Sequence, residues 1–483
     1  MRMQISYAYA ESTFTFQNKI IISIFAISIW LFLISLLFGS SKKSILQVFV
    51  AMLFMTGILA WNYMYNSMNN QNSLFAGFQA DSETLTTGVI CAEQDGVWFE
   101  NEQEGYGLGR YCNLKGSLMY YGVDYISDDN WLNGFSRSEP KIVVNSNLYS
   151  RRIAVIGNSV LFKNGDCYKI TDVSDDGSNI VIRFNSDKLL SSAKCGSIDD
   201  ATFFDSNGTK LSKSGVEAYR SQYGLQGKVF RYFARYMDEE EIVNNLHLFC
   251  CIATAFVFST IVILIYKKYN LIMAGCFFIT FWLSPWIVNF AKNLYWVEFT
   301  WFIPMAVGLF CAWKINDKRC RIASYVMIFI TILGKSLCGY EYISSIMMGM
   351  IAFLLADLLA GLIKKDKEKT SLLFSTIIIM GIVAFTGFMA AIFIHALLRG
   401  EGNIFDGIKN IINYDLLRRT SGANLNDFEE VYWPSMNASI WEVFCTYFHF
   451  STEVIQGVAG NLFSLICTVP LCILGYGIKV NAP

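Results

Sequence analysis

The chain has 483 residues, of which 54% are hydrophobic, 16% aromatic and only 16% charged, and its mean hydropathy is +0.38. That is the composition of a membrane protein. A formal charge of −1 argues against a nucleic-acid partner.

Apolar runs of roughly 17–25 residues, enough as helix for about 30 Å of hydrocarbon, recur about nine times: 19–38, 44–63, 246–266, 270–290, 297–313, 320–338, 342–363, 371–397 and 452–478. The first is too long for a signal-peptide core, and GSSKKS after it lacks a cleavage pattern, so it counts as a span. The expected fold is mostly α, a polytopic transmembrane bundle with a β-rich extracytoplasmic domain inserted between spans 2 and 3. Residues 1–64 form an N-terminal hairpin, 65–218 the domain, 219–245 a juxtamembrane interfacial helix, and 246–483 the main bundle with an external loop at 398–451. Lys42 and Lys43, Lys267 and Lys268, the run Lys314 to Arg321 and the run Lys364 to Lys369 fall in alternate loops, which should be cytoplasmic. Parity then puts the N-terminus, 65–245, NFAKNLYWVEF, LCGYEYIS and 398–451 outside. The expected location is a cell membrane, of bacterial inner-membrane type.

In chain order, the 65–245 region shifts abruptly to Gly, Asn, Asp and Ser. KIVVNSNLY, RRIAVIGNSVLF, CYKITDV and NIVIRF alternate or run β-branched residues between NG, DDG and NSN turn signals. They predict a small antiparallel sheet with at most one short helix before Tyr219. Cys91, Cys112, Cys167 and Cys195 are an even set on the oxidising side, so one or two disulfides are expected, with four free thiols as the alternative. No soluble-enzyme signature stands out. His247, His395 and His449 are isolated from one another and from any Cys pair, and GYGLGR at 105–110 lacks the strand-to-helix context of a nucleotide loop. No cofactor is called for, and a divalent metal stays open.

The stretch YRSQYGLQGKVFRYFARY, Tyr219 to Tyr236, ends just before the third span. As a helix it gathers Leu225, Val229, Tyr232, Phe233 and Tyr236 on one broad face and Lys228, Arg231 and Arg235 beside it, the pattern of an interfacial helix. A snorkelling anchor is the plainer alternative. The glycines and the amides of Gln222 and Gln226 favour a role in holding a polar ligand, through exposed backbone and side-chain amides. In the loop NFAKNLYWVEF, Glu298 lies close to Tyr295 and Trp296, and in GKSLCGYEYISS, Lys335 and Glu341 lie close to Tyr340. Aromatic residues at an interface are commonly belt anchors. Ionisable groups at span ends are functional candidates by default, with a Lys335–Glu341 ion pair as the structural alternative. In 398–451, which reads as two interfacial helices around a polar turn, Arg399, Lys409, Arg418 and Arg419 suit a lipid phosphate or a solvated face equally. Cys338 and Cys445 are a further guess at a pair. The sequence stops at GIKVNAP, an ending that raises truncation or a missing tail domain.

An early span, a large external segment and an amphipathic juxtamembrane helix leading into a bundle resemble the GT-C class of polytopic glycosyltransferases. YRSQYGLQG is similar to Y-x-S-Q-x-G-L-Q segments of bacterial envelope proteins of that kind. The resemblance implies transfer of a sugar from a polyprenyl-phosphate-linked donor to a cell-envelope glycan or lipid, with an acid in the first external loop as the catalytic group. Asp81 or Glu83 in GFQADSETL matches by position. The chain departs from that pattern in having no paired acids at the membrane surface. The expected catalytic acid is therefore one of Asp81, Glu83, Glu298 and Glu341, with Gln222, Gln226, Lys228, Arg231, Arg235, Tyr295, Trp296, Lys335, Tyr340, Arg418 and Arg419 around substrate. The expected partners are the bilayer, a lipid-linked sugar and a glycan or lipid acceptor, and no nucleic acid. An O-antigen-type polymerase, a lipid-linked glycan transporter and a non-catalytic envelope protein are the alternatives.

Overall fold

The computed structural model describes residues 38, 41–66, 73–97, 99, 105–114, 119–120, 141–184, 198–237, 241–417, 433–455, 458–461 and 464, with backbone alone at 73–81, 119–120, 416, 435, 453–455 and 458. The first expected span (except Phe38), Cys195, Arg418, Arg419 and the Asp81 side chain lie outside these.

The helices in chain order are α1 (Lys42–Tyr65), α2 (Ser73–Gln94), α3 (Leu148–Ile153), α4 (Leu225–Ala234), α5 (Ile242–Lys268), α6 (Leu271–Leu283), α7 (Pro285–Ala291), α8 (Phe299–Trp313), α9 (Lys318–Cys338), α10 (Ile343–Ile363), α11 (Lys367–Arg399), α12 (Ile404–Asn410), α13 (Trp433–Asn437) and α14 (Ile440–His449). Among the described residues, α1, α5, α9, α10 and α11 are long and apolar enough to cross a membrane, and α6 with α7 makes a sixth if that pair, bent by 62°, is one span. These helices mark a multi-pass membrane protein. The expected span at 297–313 is the 15-residue α8, shorter than a full crossing. Where the ninth run begins, the chain instead forms a small hairpin, Thr452–Ile455 with Val458–Gly460.

The bend between α6 and α7 has a local cause. Pro285 has no N–H for the carbonyl of Phe281, four residues back, and the Tyr63 hydroxyl donates to that carbonyl at 3.0 Å. Asn62 Nδ2 donates to the next one, Trp282, at 2.7 Å. The polar end of α1 thus satisfies the carbonyls that the break would orphan. Elsewhere backbones meet closely: a Cβ at Gly308 of α8 would stand 1.8 Å from the Met350 carbonyl oxygen of α10. At the basic end of the bundle, Lys268 Nζ donates to Asp357 at 2.5 Å and to the Ala312 carbonyl at 3.2 Å, tying the ends of α5, α8 and α10 together.

At the other end stands the sheet region. Seven antiparallel strands, β2 (Met119–Tyr120), β3 (Lys141–Asn145), β4 (Ser159–Leu161), β5 (Cys167–Asp175), β6 (Asn179–Phe184), β7 (Thr202–Phe204) and β8 (Lys210–Leu211), run in the order β2-β3-β6-β5-β4-β7-β8, and β3 to β6 are drawn from the four segments read as strands. Their inner side chains, among them Ile142, Val144, Val160, Ile170, Ile180 and Ile182, form one core with Ile153 and Phe203. Asp176 Oδ1 accepts from the N–H groups of Ser178 and Asn179, closing the β5–β6 turn at Gly177, whose φ is 85°. The expectation of at most one short helix before Tyr219 fails, because α2 runs for 22 residues ahead of the sheet.

Strands β1 (Gly109–Asn113) and β9 (Ser214–Ala218) pair as a ribbon that brings the two ends of the inserted region together beside α2. Three glycines then let backbone pack on backbone. A Cβ at Gly107 would lie 1.8 Å from the Gly224 carbonyl oxygen, and one at Gly227 would lie 1.9 Å from that of Gly107. The glycines of GYGLGR and YGLQG serve this close approach, so the expected exposed backbone is a buried one.

Candidate functional site

The connection between α7 and α8, residues 292–298, is where four parts of the chain converge. Asn293 Oδ1 accepts from the N–H groups of Tyr295 and Trp296 at 2.9 and 3.1 Å, a short side chain standing in for a backbone turn. Val297 takes a φ of 41°, costly for a β-branched residue, and Tyr342 across the site takes 58°. Strain of this kind gathers at functional sites.

From α2, Glu83 Oε1 accepts from the Leu294 N–H at 2.9 Å and from His247 Nε2 at 2.7 Å. From the turn before α4, Gln222 Nε2 donates to the Tyr295 hydroxyl at 2.7 Å and to the Glu341 carboxylate. Tyr295 in turn donates to Glu341 Oε1 at 3.1 Å. Gln226 Nε2 donates to the Tyr295 carbonyl at 3.0 Å. Glu83, Gln222, Gln226, Tyr295 and Glu341, chosen from four separate stretches of sequence, therefore share one network.

The electrostatics follow from burial and charge. Burial raises the Tyr295 hydroxyl well above its ordinary value, and Glu341 adds to it, so this phenol stays a donor. Burial alone would raise Glu83; the His247 ring, its hydrogen bond, the Leu294 N–H and Lys292 together hold the carboxyl below its usual range.

The network leaves acceptors over. Gln222 Oε1 and Gln226 Oε1 are buried without a hydrogen-bond partner, a state that costs about 1–3 kcal/mol per group unless a ligand or water fills it. A Cβ at Gly339 would lie 2.4 Å from Glu341 Oε2 and 3.0 Å from Gln222 Oε1, so these two oxygens look at the same place. Both are acceptors, so a hydrogen-bond donor is the group they call for. Beside it stands an aromatic wall: Trp301 has its ring centre 5.0 Å from that of Tyr342 and 5.9 Å from that of Trp296, and Trp296 lies 4.9 Å from Tyr295. The Trp301 Nε1 and Glu298 Oε2 are likewise buried and unpartnered.

A second chain of hydrogen bonds adjoins the first through Tyr340. His395 Nε2 lies 3.0 Å from the Arg220 carbonyl and Nδ1 lies 2.9 Å from the Tyr340 hydroxyl. A carbonyl can only accept, so Nε2 carries the proton and, in the neutral ring, Nδ1 accepts from Tyr340. Arg399 donates to the same carbonyl at 2.7 Å and pairs with Asp415 at 2.6 Å. The Gln222 turn is thereby pinned from both sides.

No family model, curated sequence or solved structure matches the chain.

Several expected residues take other positions. Arg231 and Arg235 close on Glu93 of α2 at 3.0 and 2.7 Å, and the Lys228 ammonium lies over the Tyr223 ring at 3.6 Å. Lys335 and Glu341 form no ion pair; the buried ammonium donates to the Gly339 carbonyl at 2.6 Å. Glu298 sits apart from the Gln222–Tyr295–Glu341 hydrogen bonds. Cys112 and Cys167 are free thiols, Cys91 is bonded to neither, and Cys338 and Cys445 are also free, so the guess that they pair is overturned. No group of three or more His, Cys, Asp or Glu among the described residues is arranged to hold a metal. No sequence motif marks Glu93 or Arg220, and His247 and His395 stand in the sequence only as isolated histidines. Parity held a signal for the histidines, since both fall at span ends on the side expected to be external, where an ionisable group needs a reason.

Proposed function

We propose that the chain is an integral-membrane glycosyltransferase that moves a sugar from a polyprenyl-phosphate-linked donor to a cell-envelope glycan or lipid. The observation that carries the reading is the Gln222–Tyr295–Glu341 network beside the Trp296–Trp301–Tyr342 wall, at the end of the bundle away from the lysine-rich loops. Acceptors over one backbone point suit the hydroxyls of a sugar, and aromatic faces suit its apolar C–H surface. The positive-inside rule makes that end extracytoplasmic.

Glu341 is the candidate base. Gln222 and Tyr295 hold its Oε1, and Oε2 is directed at the place where a donor is wanted. There it takes the proton of an acceptor hydroxyl as the oxygen attacks the anomeric carbon; the bond from that carbon to the phosphate oxygen breaks, and the phosphate leaves with the electron pair. Glu83 is bound to His247 and Leu294 and acts instead to set the loop that carries Tyr295.

Glu341→Gln keeps the size and the hydrogen-bonding shape while removing the base. Membrane insertion should be unchanged and sugar transfer to the surface glycan should fall by roughly 100-fold or more. An unaltered glycan profile with Glu341→Gln at normal abundance would remove Glu341 from this role.

A further inference from the structure

Helix α14 has the sequence IWEVFCTYFH and is well formed in itself: Ser439 Oγ accepts from the Glu442 N–H at 3.1 Å while Glu442 returns the bond to the Ser439 N–H at 2.7 Å. Yet it buries no residue. At 100° per residue, Ile440, Trp441, Val443, Phe444, Tyr447 and Phe448 fall on one side, and Glu442, Thr446 and His449 fall together on the other. Much of the apolar side is exposed, Ile440 at 89% and Trp441 at 70%.

What surrounds the helix says what covers it. The strand Thr452–Ile455 that follows packs beside α7, at the turned end of the bent span. Tyr342, which caps the membrane-crossing α10, has its hydroxyl raised by burial, then by Glu341 and then by Tyr447 of α14. The helix therefore lies level with the ends of two spans, where acyl chains give way to headgroups. Its aromatic and aliphatic side chains are those that settle at that depth. No Lys or Arg occurs in it, so attraction to anionic headgroups has no part.

We propose that α14 lies in the plane of the bilayer interface with its Ile440–Trp441–Phe444 side among the upper acyl chains, forming the wall between lipid and the Tyr342 end of the aromatic cluster. The bound partner is the lipid surface itself, and the assignment stands independently of the transferase reading.

The test uses the full chain in proteoliposomes whose lipids carry bromine either near the glycerol end of the acyl chain or near its tip. Trp441 is one of 11 tryptophans, so its share is read as the difference between the wild-type chain and Trp441→Phe, a change that leaves the helix apolar. The difference signal should be quenched by shallow bromine, spared by deep bromine, and equal in zwitterionic and anionic vesicles. Quenching by aqueous iodide in place of bromine would overturn the proposal. So would protection from both, which is the outcome if a second copy or another segment covers the helix. Phe444→Glu gives a second reading: in chains that insert at normal levels, it should move Trp441 from lipid-quenched to iodide-quenched, and an unmoved Trp441 would count against the lipid contact.

Discussion

The Tyr295 hydroxyl accepts from Gln222 and donates to Glu341, so it braces the carboxylate that Gln222 also holds directly. Tyr295→Phe removes about 1 kcal/mol of hydrogen bonding and leaves Glu341 Oε1 held by Gln222 alone of the two, so the base is less well fixed. The expected result in a transfer assay is a smaller kcat with KM little changed, because the aromatic wall remains. A larger KM with full kcat would make Tyr295 a binding group instead. Glu83 offers a pH signature. Its folded pKa lies below the ordinary 4.5, so its contribution to stability is present above the unfolded pKa and is lost as pH falls through the lower folded one. Detergent-solubilised protein should lose thermal stability in that acid window, and Glu83→Gln should flatten the loss. At this scale much of the site was legible in the sequence. An ionisable group at a span end must be paired or functional, which raised Glu341, while Gln222 and Gln226 drew notice as amides in a basic, glycine-bearing stretch. Their partners were not legible, because no local spacing links Gln222 to Tyr295 or Glu83 to His247.

Elements were legible where hydrophobic period or a turn signal marked them, as in α5, α11 and the β5–β6 hairpin, and illegible where tertiary contact supplies the stability. Helix α2 is the case in point: SLFAGFQADSETLTTGVICAEQ carries Thr, Ser and Gly that form helices poorly. It is held through Glu83, Val89, Ile90 and Glu93, whose partners lie far along the chain. The clasp between α2 and α4 should be costly to open. Glu93 is 4% exposed and Arg231 15%, so Glu93→Ala should destabilise by roughly 3–5 kcal/mol, as for other buried pairs stripped of one partner. The half-exposed Arg235 contributes little to that figure. A shift of less than about 1 kcal/mol, within the range of surface pairs, would mean that the arginines find other partners. Sequence alone gave α4 its basic stripe, but a stripe does not say whether it meets phosphate or a carboxylate from another helix.

For the molecule as a whole, the alternation of lysine-rich loops predicts two ends of opposite exposure. Cys167 on the sheet is exposed, and Cys320 at the start of α9 is partly so. An impermeant maleimide applied to intact cells should label Cys167 and leave Cys320 until the membrane is opened. The reverse order would invert the orientation and with it the side on which the site works. At the break before Pro285, that α1 supplies Asn62 and Tyr63 to the freed carbonyls could not be read from either segment alone. The interlocked glycines carry a different consequence, for how substitutions across the whole chain are to be interpreted. Gly107 and Gly227 have no room for a single methyl, so alanine at either should lower the unfolding midpoint by an amount equivalent to roughly 1–3 kcal/mol or more, as overpacking does. A mutational scan scored by surface glycan would rank them as intolerant as Glu341, although neither touches a reacting atom. Scoring abundance alongside glycan separates them: the glycine variants should lose both, and Glu341→Gln only the second.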